Sequence, residues 1–450
     1  MAGAALRGRI DQLAAISAEA GRITRVFASP EQRRVNDLVL SWMRAAGMAA
    51  HEDAIGNVVG RHEGGAPGDR ALLIGSHLDT VRDAGRWDGP LGVVTAIAVV
   101  DALHRAGRRL PFPVEVVGFA DEEGTRFGAT MLGSRALTGR FDPAMLELHD
   151  QKDITMADAM RAYGLDPAQI GEAVRRPDEF FAYLELHIEQ GPVLERLNIP
   201  VGCVTAIAGA TRLRVTITGQ AGHAGTVPMQ GRHDALAAAA AAVLAVEGRA
   251  VVEDGIVATV GRLEVSPGSV NVIPGRVVFT VDLRAGEDDK RLRMVADISE
   301  AIARLCQRRD VKVSIETTHQ LAAAPCAPEL QRAIAAAIDA EGFPVRLLPS
   351  GAGHDAMEIA AIAPIGMIFV RCKGGISHHP DEYASDADIQ AGARVLHRVL
   401  VDHPAADLAL CATVAALSNC VAASSPSDCV NSPLASFFRT VFQPLLFRAS

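Results

Sequence analysis

The sequence predicts an α/β fold with two parts: a catalytic domain with a mixed, mostly parallel sheet between helices, and an inserted α+β domain of ferredoxin-like type. Two patterns lead to this prediction. Short, nearly continuous apolar runs that alternate with helical stretches are typical of buried parallel strands. A later region alternates apolar and polar residues, as half-exposed antiparallel strands do. The length of 450 residues also favours two domains over one.

The first half of the chain predicts helices followed by buried strands. Residues 6–49 have apolar positions spaced by three and four, and Pro30 is a plausible start for a second helix. Apolar runs bounded by turn residues then predict strands, with a helix at 92–106 between the first two. These strands are 71–75, 114–120 and 181–186.

The inserted domain is predicted at 210–320, which divides the catalytic domain into residues 1–209 and 321–402. Its first strand, 213–218, alternates in polarity. A helix, two strands, a helix and a strand follow at 235–246, 256–265, 277–284, 291–307 and 311–316. This βαββαβ order is the ferredoxin-like pattern. The pattern of alternating helices and buried strands then resumes with a helix at 328–340, a strand at 365–370 and a last helix through Leu400.

Composition argues against several classes of protein. The formal net charge of -9, without a run of Lys or Arg, is not that of a nucleic-acid binder. The first 17 residues have no apolar segment typical of a secretory signal, and the cysteines of the main body are scattered, so we expect a reduced, cytoplasmic protein.

The tail, 403–450, is compositionally different from the rest of the chain. Residues 406–424 approach the length of a membrane span, which takes about 20 residues. They contain Asp407 and Asn419 and are apolar mainly through alanine, so we expect no membrane association. A zinc site built from Cys411, Cys420 and Cys429 is a weaker alternative to a poorly ordered or loosely docked appendage.

Five short stretches end predicted strands, or fill glycine-rich loops, with possible metal ligands. They offer imidazoles and carboxylates but no thiolate, which suits a divalent metal of zinc or manganese type. The carboxyl ends of parallel strands meet at one edge of a sheet, where functional residues are expected. The stretches are 75–79, 87–90, 121–124, 186–192 and 376–380.

The residue types also suggest roles in hydrolysis. His77 and Asp79 point the same way at a strand end, so Asp79 can orient the imidazole. Asp88 lies in a glycine-rich loop where a carboxylate could bridge two cations. Glu122 and Glu123 are adjacent and cannot point the same way, so one can bind metal while the other acts as general base. Two divalent cations would lower the pKa of water and stabilise a developing oxyanion.

As a set, these motifs are similar to those of the ureido amidohydrolase branch of the dinuclear metal aminoacylase/carboxypeptidase superfamily. That branch includes allantoate amidohydrolase, N-carbamoyl-L-amino-acid hydrolase, ureidoglycolate amidohydrolase and β-ureidopropionase. The resemblance covers roughly residues 10–400. It rests on Gly75–Val81, Asp88–Gly92, Asp121–Phe127, His187–Pro192, Gly222–Met229 and Gly351–Ala356.

The resemblance implies two divalent ions per subunit, zinc or manganese, and Glu122 as the general base. It also implies a homodimer formed through the inserted domain, in which His223 of one subunit reaches the other's active site. Peptide-cleaving relatives usually carry a carboxylate at the position of His187. The Ser-His-x-Pro pattern assigns the last ligand to His378 rather than to His379. The implied ligands are His77, Asp88 (bridging), Glu123, His187 and His378.

The expected substrate is a small ureido compound that bears a carboxylate, and its hydrolysis releases ammonia and CO₂. Arg284 is the candidate for binding the carboxylate, with Asn271 as a neutral contact. Arg212, Gln190 and His354 are further candidates for the pocket. The stretches 211–216 and 369–378 resemble allantoate amidohydrolases most.

Several alternatives stay open at the level of sequence. N-carbamoyl-L-amino-acid hydrolase and ureidoglycolate amidohydrolase are the alternatives within the branch. A metallopeptidase or aminoacylase would share the ligand set but release an amino acid without ammonia. A non-catalytic binding protein on this fold is expected to lack Glu122 or a ligand, and all of them are present.

Overall fold

The computed structural model describes residues 2–65 and 69–402, so the predictions for the tail at 403–450 lie outside the described residues. The helices are α1 (Gly3–Ala14), α2 (Pro30–Ala45), α3 (Pro90–Arg105), α4 (Leu132–Leu137), α5 (Met156–Tyr163), α6 (Val193–Arg196), α7 (Ala235–Val251), α8 (Asp288–Arg308), α9 (Pro328–Ala340), α10 (Ala356–Ile359) and α11 (Asp386–Asp402). The strands are β1 (Ala49–Glu52), β2 (Val58–His62), β3 (Ala71–His77), β4 (Val114–Phe119), β5 (Phe180–Ile188), β6 (Val201–Ile207), β7 (Gly209–Thr218), β8 (Gly222–His223), β9 (Ile256–Thr259), β10 (Leu263–Ser266), β11 (Val272–Ile273), β12 (Arg276–Ala285), β13 (Lys312–Leu321), β14 (Ala324–Pro325), β15 (Leu347–Ser350) and β16 (Ile365–Val370).

The larger sheet has the order β1-β2-β4-β3-β5-β16-β6-β14, with β15 beside β6. Its centre, β4-β3-β5-β16, is parallel throughout, whereas β2 and β6 flank that centre in antiparallel pairings. The four central strands are buried along their whole length. This burial explains why the sequence of each strand is a nearly continuous run of apolar residues. Their carboxyl ends therefore lie side by side at one edge of the sheet.

Helices cover both faces of this sheet. Alternate residues of β3 enter different cores, because side chains of a strand point to opposite faces. Leu72 and Ile74 pack with residues of α1, α2, α3, α9 and α11. Leu73 packs on the opposite side with residues of α10. The predicted α/β class, with a sheet between helices, is confirmed.

The smaller sheet comes from residues 209–321. Its order is β10-β12-β7-β13, with β9 also paired to β12, and all pairings are antiparallel. The helices α7 and α8 pack on one face. The opposite face carries polar side chains, including Arg212 and Arg284. A separate two-stranded ribbon, β8-β11, projects from the same part of the chain.

The structure differs from the sequence-based elements at several places. The predicted helical region 6–49 is interrupted between α1 and α2, where Ser17 Oγ accepts a hydrogen bond from Thr24 N. The predicted strand 256–265 is two strands, β9 and β10, and the predicted strand 311–316 extends to Leu321. Pairing with β7 along its whole length accounts for that extension. None of the helices in the described ranges combines the length and apolar character needed to cross a membrane.

Candidate metal centre and active site

The carboxyl ends of the parallel strands bring the predicted ligands together. His77 ends β3, Glu122 and Glu123 follow β4, and His187 lies next to the end of β5. His378 follows β16 in the loop before α11. These residues form three groups in which the possible ligand atoms lie within 4.8 Å of one another. The groups are His77, Asp88 and His187; Asp88, Glu123 and His378; and His77, Glu122 and Glu123.

Asp88 stands at the centre of these groups. Its Oδ1 lies 3.0 Å from His187 Nε2 and 3.5 Å from His77 Nε2. Its Oδ2 lies 3.2 Å from His378 Nε2, and the same nitrogen is 3.3 Å from Glu123 Oε1. The two carboxylate oxygens therefore face two separate sets of ligands, as a bridging carboxylate does.

The loop that carries Asp88 is fixed from several directions. Gly89 has φ of 82°, and a Cβ there would lie 2.5 Å from the His77 ring, so no other residue fits. Glu382 Oε1 accepts hydrogen bonds from the backbone N–H groups of Trp87 (2.8 Å) and Asp88 (3.1 Å). Gln190 Nε2 donates to Asp88 Oδ2 at 2.9 Å, and Ser377 Oγ lies 2.9 Å from the same oxygen.

Asp79 supports the loop after β4. Its carboxylate accepts hydrogen bonds from the backbone N–H groups of Glu122 (3.0 Å) and Glu123 (3.2 Å). His77 Nδ1 is closer to the backbone carbonyl of Asp79, at 3.2 Å, than to its carboxylate, at 3.6 Å. The Asp79 carboxylate therefore holds the backbone of the two glutamates, a role that was not predicted, and the backbone carbonyl of Asp79 is the nearer acceptor for the imidazole.

Three residues of the site have left-handed backbone conformations that non-glycine residues rarely adopt. Asp121 has φ of 54°, Gln190 of 55° and His378 of 56°. Such conformations cost roughly 1–3 kcal/mol and are kept where the surroundings impose them, often at active sites. Each of the three residues lies in or beside a ligand-bearing loop.

Burial and charge shift the pKa values of the cluster. Burial raises the pKa of the Glu122 carboxyl well above its ordinary value, and the Glu123 carboxylate acts in the same direction. Burial also opposes ionisation of Asp88, but the imidazoles of His187, His378 and His77 that face its carboxylate hold its pKa well below the usual range. Hydrogen bonds to Asp88 and Glu123 raise the pKa of His378 to about 10. The carboxylates of the cluster thus favour positive charge on the groups around Asp88.

The residues of the cluster fit metal binding. His187 Nε2 is buried and has no hydrogen-bond partner, although it lies 3.0 Å from Asp88 Oδ1. A lone pair directed at a cation beside that oxygen would explain this geometry. His187 Nδ1 lies 2.9 Å from the carbonyl oxygen of Ile188, which leaves Nε2 free as the ligand atom. The imidazole and carboxylate set suits zinc or manganese.

The cluster lines a cavity of about 220 Å³ that Gln190 and Arg284 also line. Arg284, on β12, thereby faces the ligands across the gap between the two sheets. A second cavity of about 540 Å³ shares Gln190, Arg284 and Ala352 with the first. Its other walls are mainly aliphatic or glycine, with Val193, Val257 and Leu348 among them.

The remaining predicted site residues lie elsewhere. His354 is buried behind the ligands, with its ring 4.6 Å from that of His187 and its Nε2 2.8 Å from Ser350 Oγ. Arg212 is 53% exposed and pairs with Asp282, outside the cavity lining. His223 is exposed on β8 and Asn271 is exposed just before β11, and both lie outside that lining.

Comparison with known proteins identifies the family. A profile described as peptidase family M20/M25/M40 matches residues 73–402. The chain belongs to this family. An N-carbamoyl-L-amino acid amidohydrolase from Geobacillus stearothermophilus is 44% identical over 380 residues, covering 84% of this chain and 93% of the relative. A probable allantoate deiminase from Oryza sativa subsp. japonica is 42% identical over 434 residues, covering 89% of this chain and 88% of the relative.

Solved structures of the M20 fold agree with this result. An amidase of the hydantoinase/carbamoylase family from Burkholderia multivorans has a TM-score of 0.83 and 34% identity, covering 89% of this chain and 98% of that one. The resemblance to ureido amidohydrolases that the motifs carry is therefore confirmed. Family membership and the clustered ligand groups together suggest metal binding.

Two supporting residues were not predicted from the sequence. Glu382 is buried and holds the Asp88 loop, yet it is 295 positions from Trp87. The sequence feature that could have pointed to Glu382 is its position in the segment 376–382, shortly after the candidate ligand His378. Arg25 is also buried and donates to the carbonyl oxygen of Leu78 at 2.7 Å, just before Asp79. Nothing in the local sequence sets Arg25 apart from a surface arginine.

Proposed function

We propose that this protein is a metal-dependent amidohydrolase that cleaves the ureido C–N bond of a small carboxylate substrate and releases ammonia and CO₂. The single observation that carries the proposal is His187, whose imidazole lies 3.0 Å from the central Asp88 carboxylate. Peptide-cleaving relatives usually have a carboxylate at that position. Relatives named for N-carbamoyl amino acids and for allantoate support the same reaction class.

The proposed site holds two divalent ions, zinc or manganese, which when bound act as Lewis acids toward the ureido carbonyl. His77, His187 and Asp88 would hold one ion, and Glu123, His378 and Asp88 would hold the other. Glu122 removes a proton from the attacking water and returns it to the leaving nitrogen. Burial raises the pKa of Glu122, which suits a group that must exchange protons near neutral pH.

Allantoate is the first substrate candidate, on the strength of the sequence stretches 211–216 and 369–378. An N-carbamoyl-L-amino acid is the second, and one observation favours it. The 540 Å³ cavity beside Arg284 has mainly apolar walls. The carboxylate of Glu189 in that wall is already bonded to the backbone N–H groups of Val193 and Leu194. An aliphatic side chain fits such a cavity better than a second ureido group, whose polar atoms need partners.

The test is ammonia release by enzyme loaded with zinc or with manganese. Allantoate, N-carbamoyl-L-leucine and ureidoglycolate are compared with N-acetyl-L-leucine and a dipeptide, and Glu122→Gln serves as the blank. We expect ammonia from at least one ureido substrate and no cleavage of the dipeptide. Cleavage of the acyl or peptide substrates without any ammonia from the ureido compounds would replace the proposal with an aminoacylase or peptidase.

We further propose a homodimer formed through residues 210–320, with His223 completing the partner's active site. In support, His223 is exposed and lies outside the cavity lining of its own subunit. Mixing His223→Ala with Glu122→Gln subunits should restore activity, because one site per heterodimer then has an intact Glu122 and a wild-type His223. Persistent inactivity after confirmed subunit exchange would mean that His223 acts within its own subunit or only structurally.

A further inference from the structure

Arg284 is held in a bidentate ion pair with the residue two positions before it. Its Nε donates to Asp282 Oδ1 at 2.9 Å, and its Nη2 lies 3.3 Å from Asp282 Oδ2. Its Nη1 donates to the carbonyl oxygen of Gly351 at 2.8 Å. Both residues lie on β12, and their side chains share the polar face of the smaller sheet because they are two positions apart.

These contacts leave a defined part of the guanidinium free. An arginine side chain has five N–H donors. Asp282 takes one on Nε and one on Nη2, and Gly351 takes one on Nη1. One N–H remains on each terminal nitrogen, and a carboxylate can accept hydrogen bonds from both terminal nitrogens of an arginine. Arg284 also lines the 220 Å³ cavity of the metal cluster.

Asp282 is itself fixed from the neighbouring strand. Arg212 is its direct cross-strand partner on β7, and Arg212 Nε donates to Asp282 Oδ2 at 3.0 Å. Burial opposes ionisation of Asp282, but hydrogen bonds from Arg284 and Arg212 lower the pKa of the carboxyl below its ordinary value. Two guanidinium groups share one carboxylate, so the trio keeps one positive charge for an anion.

We propose that Asp282 is a positioning residue: by holding Arg284 side-on, it presents the two remaining N–H groups to the substrate carboxylate. The proposal rests on the function proposed above, in which Arg284 binds that carboxylate. It also gives Arg212 a place in the site as the second partner of Asp282 rather than as a direct substrate contact. Asp282 is therefore expected to affect binding of the carboxylate and to spare the chemical step.

The test compares Asp282→Asn, Arg284→Met and the double variant on the preferred ureido substrate and on its primary carboxamide. Asp297→Asn, which breaks the ion pair between Asp297 on α8 and Arg249 on α7, is the matched control. For Asp282→Asn we expect KM to rise on the order of tenfold on the carboxylate, with little change in kcat. The carboxamide should be unaffected, Asp282→Glu should recover part of the loss, and Asp282→Asn should add nothing to Arg284→Met.

The outcomes separate this inference from the proposed function. If Arg284→Met raises KM but Asp282→Asn leaves it unchanged or lowers it, Asp282 does not position Arg284, although the proposed function stands. If Arg284→Met leaves KM unchanged, the inference and the role of Arg284 both fail. If no ureido substrate releases ammonia from the wild type, the proposed function fails, and the positioning of Arg284 for its substrate fails with it. Should Asp282→Asn fold poorly, Arg212→Met removes the second partner of Asp282 instead and is expected to raise KM to a smaller extent; an unchanged KM in Arg212→Met would then overturn the inference.

Discussion

Replacing Asp79 by asparagine tests the support of the candidate catalytic loop most directly. The carboxylate is fully buried and accepts one hydrogen bond from each of the backbone N–H groups of Glu122 and Glu123. Asparagine has the same shape but only one acceptor oxygen, so one of these buried N–H groups loses its partner and faces an NH₂ group instead. An unsatisfied buried donor costs about 1–3 kcal/mol. We expect the free energy of unfolding of the metal-free protein to fall by about that amount.

Metal affinity should fall as well, because the altered loop carries the proposed ligand Glu123. Loss of a group that orients metal ligands typically costs about 10–100-fold in affinity or activity. The assays are thermal unfolding in excess chelator and titration of the metal-free protein with Zn²⁺. Asp178→Asn, which alters an exposed ion pair with Arg176, is the control and should change neither quantity. Wild-type stability and wild-type zinc affinity in Asp79→Asn would refute the reasoning.

Three further predictions concern the site and its support. Glu122→Gln should retain its metal and lose about 10²–10⁴-fold in kcat, as expected for a general base; near-normal kcat at full metal content would exclude Glu122 from that role. His378→Ala should lose metal and activity together, whereas His379→Ala should keep both, because the His379 ring lies beside Asp381 rather than Asp88. The metal content of the two variants, measured by elemental analysis, decides between these two histidines. Arg25→Met should destabilise the protein by about 3 kcal/mol or more, because the carbonyl oxygens of Leu13, Ile16 and Leu78 lose a buried donor. A melting temperature equal to that of the wild type would contradict this prediction.

The central strands and the residues at their ends were predictable because two simple regularities coincide there. A strand buried on both faces is mostly apolar, so β3, β4 and β5 are visible as nearly continuous apolar runs in the sequence. The polar residues that follow such runs meet at one sheet edge, which is why His77, Glu122 and His187 could be expected together. The edge strand β1 and its neighbour β2 were missed, since they are short and only partly buried.

The supporting contacts could not be predicted, because they depend on which distant segments meet. Glu382 holds the Asp88 loop from the far end of the chain, and nothing in its neighbourhood specifies that partner.

Asp282 illustrates the same limit on the other side of the cavity. Sequence reasoning placed Arg284 at the substrate carboxylate, because guanidinium groups bind carboxylates, and gave Arg212 as a further candidate for the pocket. The register of β7 and β12 instead sets Arg212 opposite Asp282, and Asp282 then occupies one side of Arg284. A one-residue shift in that register would move Arg212 to the opposite face of the sheet, toward α7 and α8, and would leave Asp282 with Arg284 alone. The role of each arginine is thus a property of strand pairing, which residue type by itself does not determine.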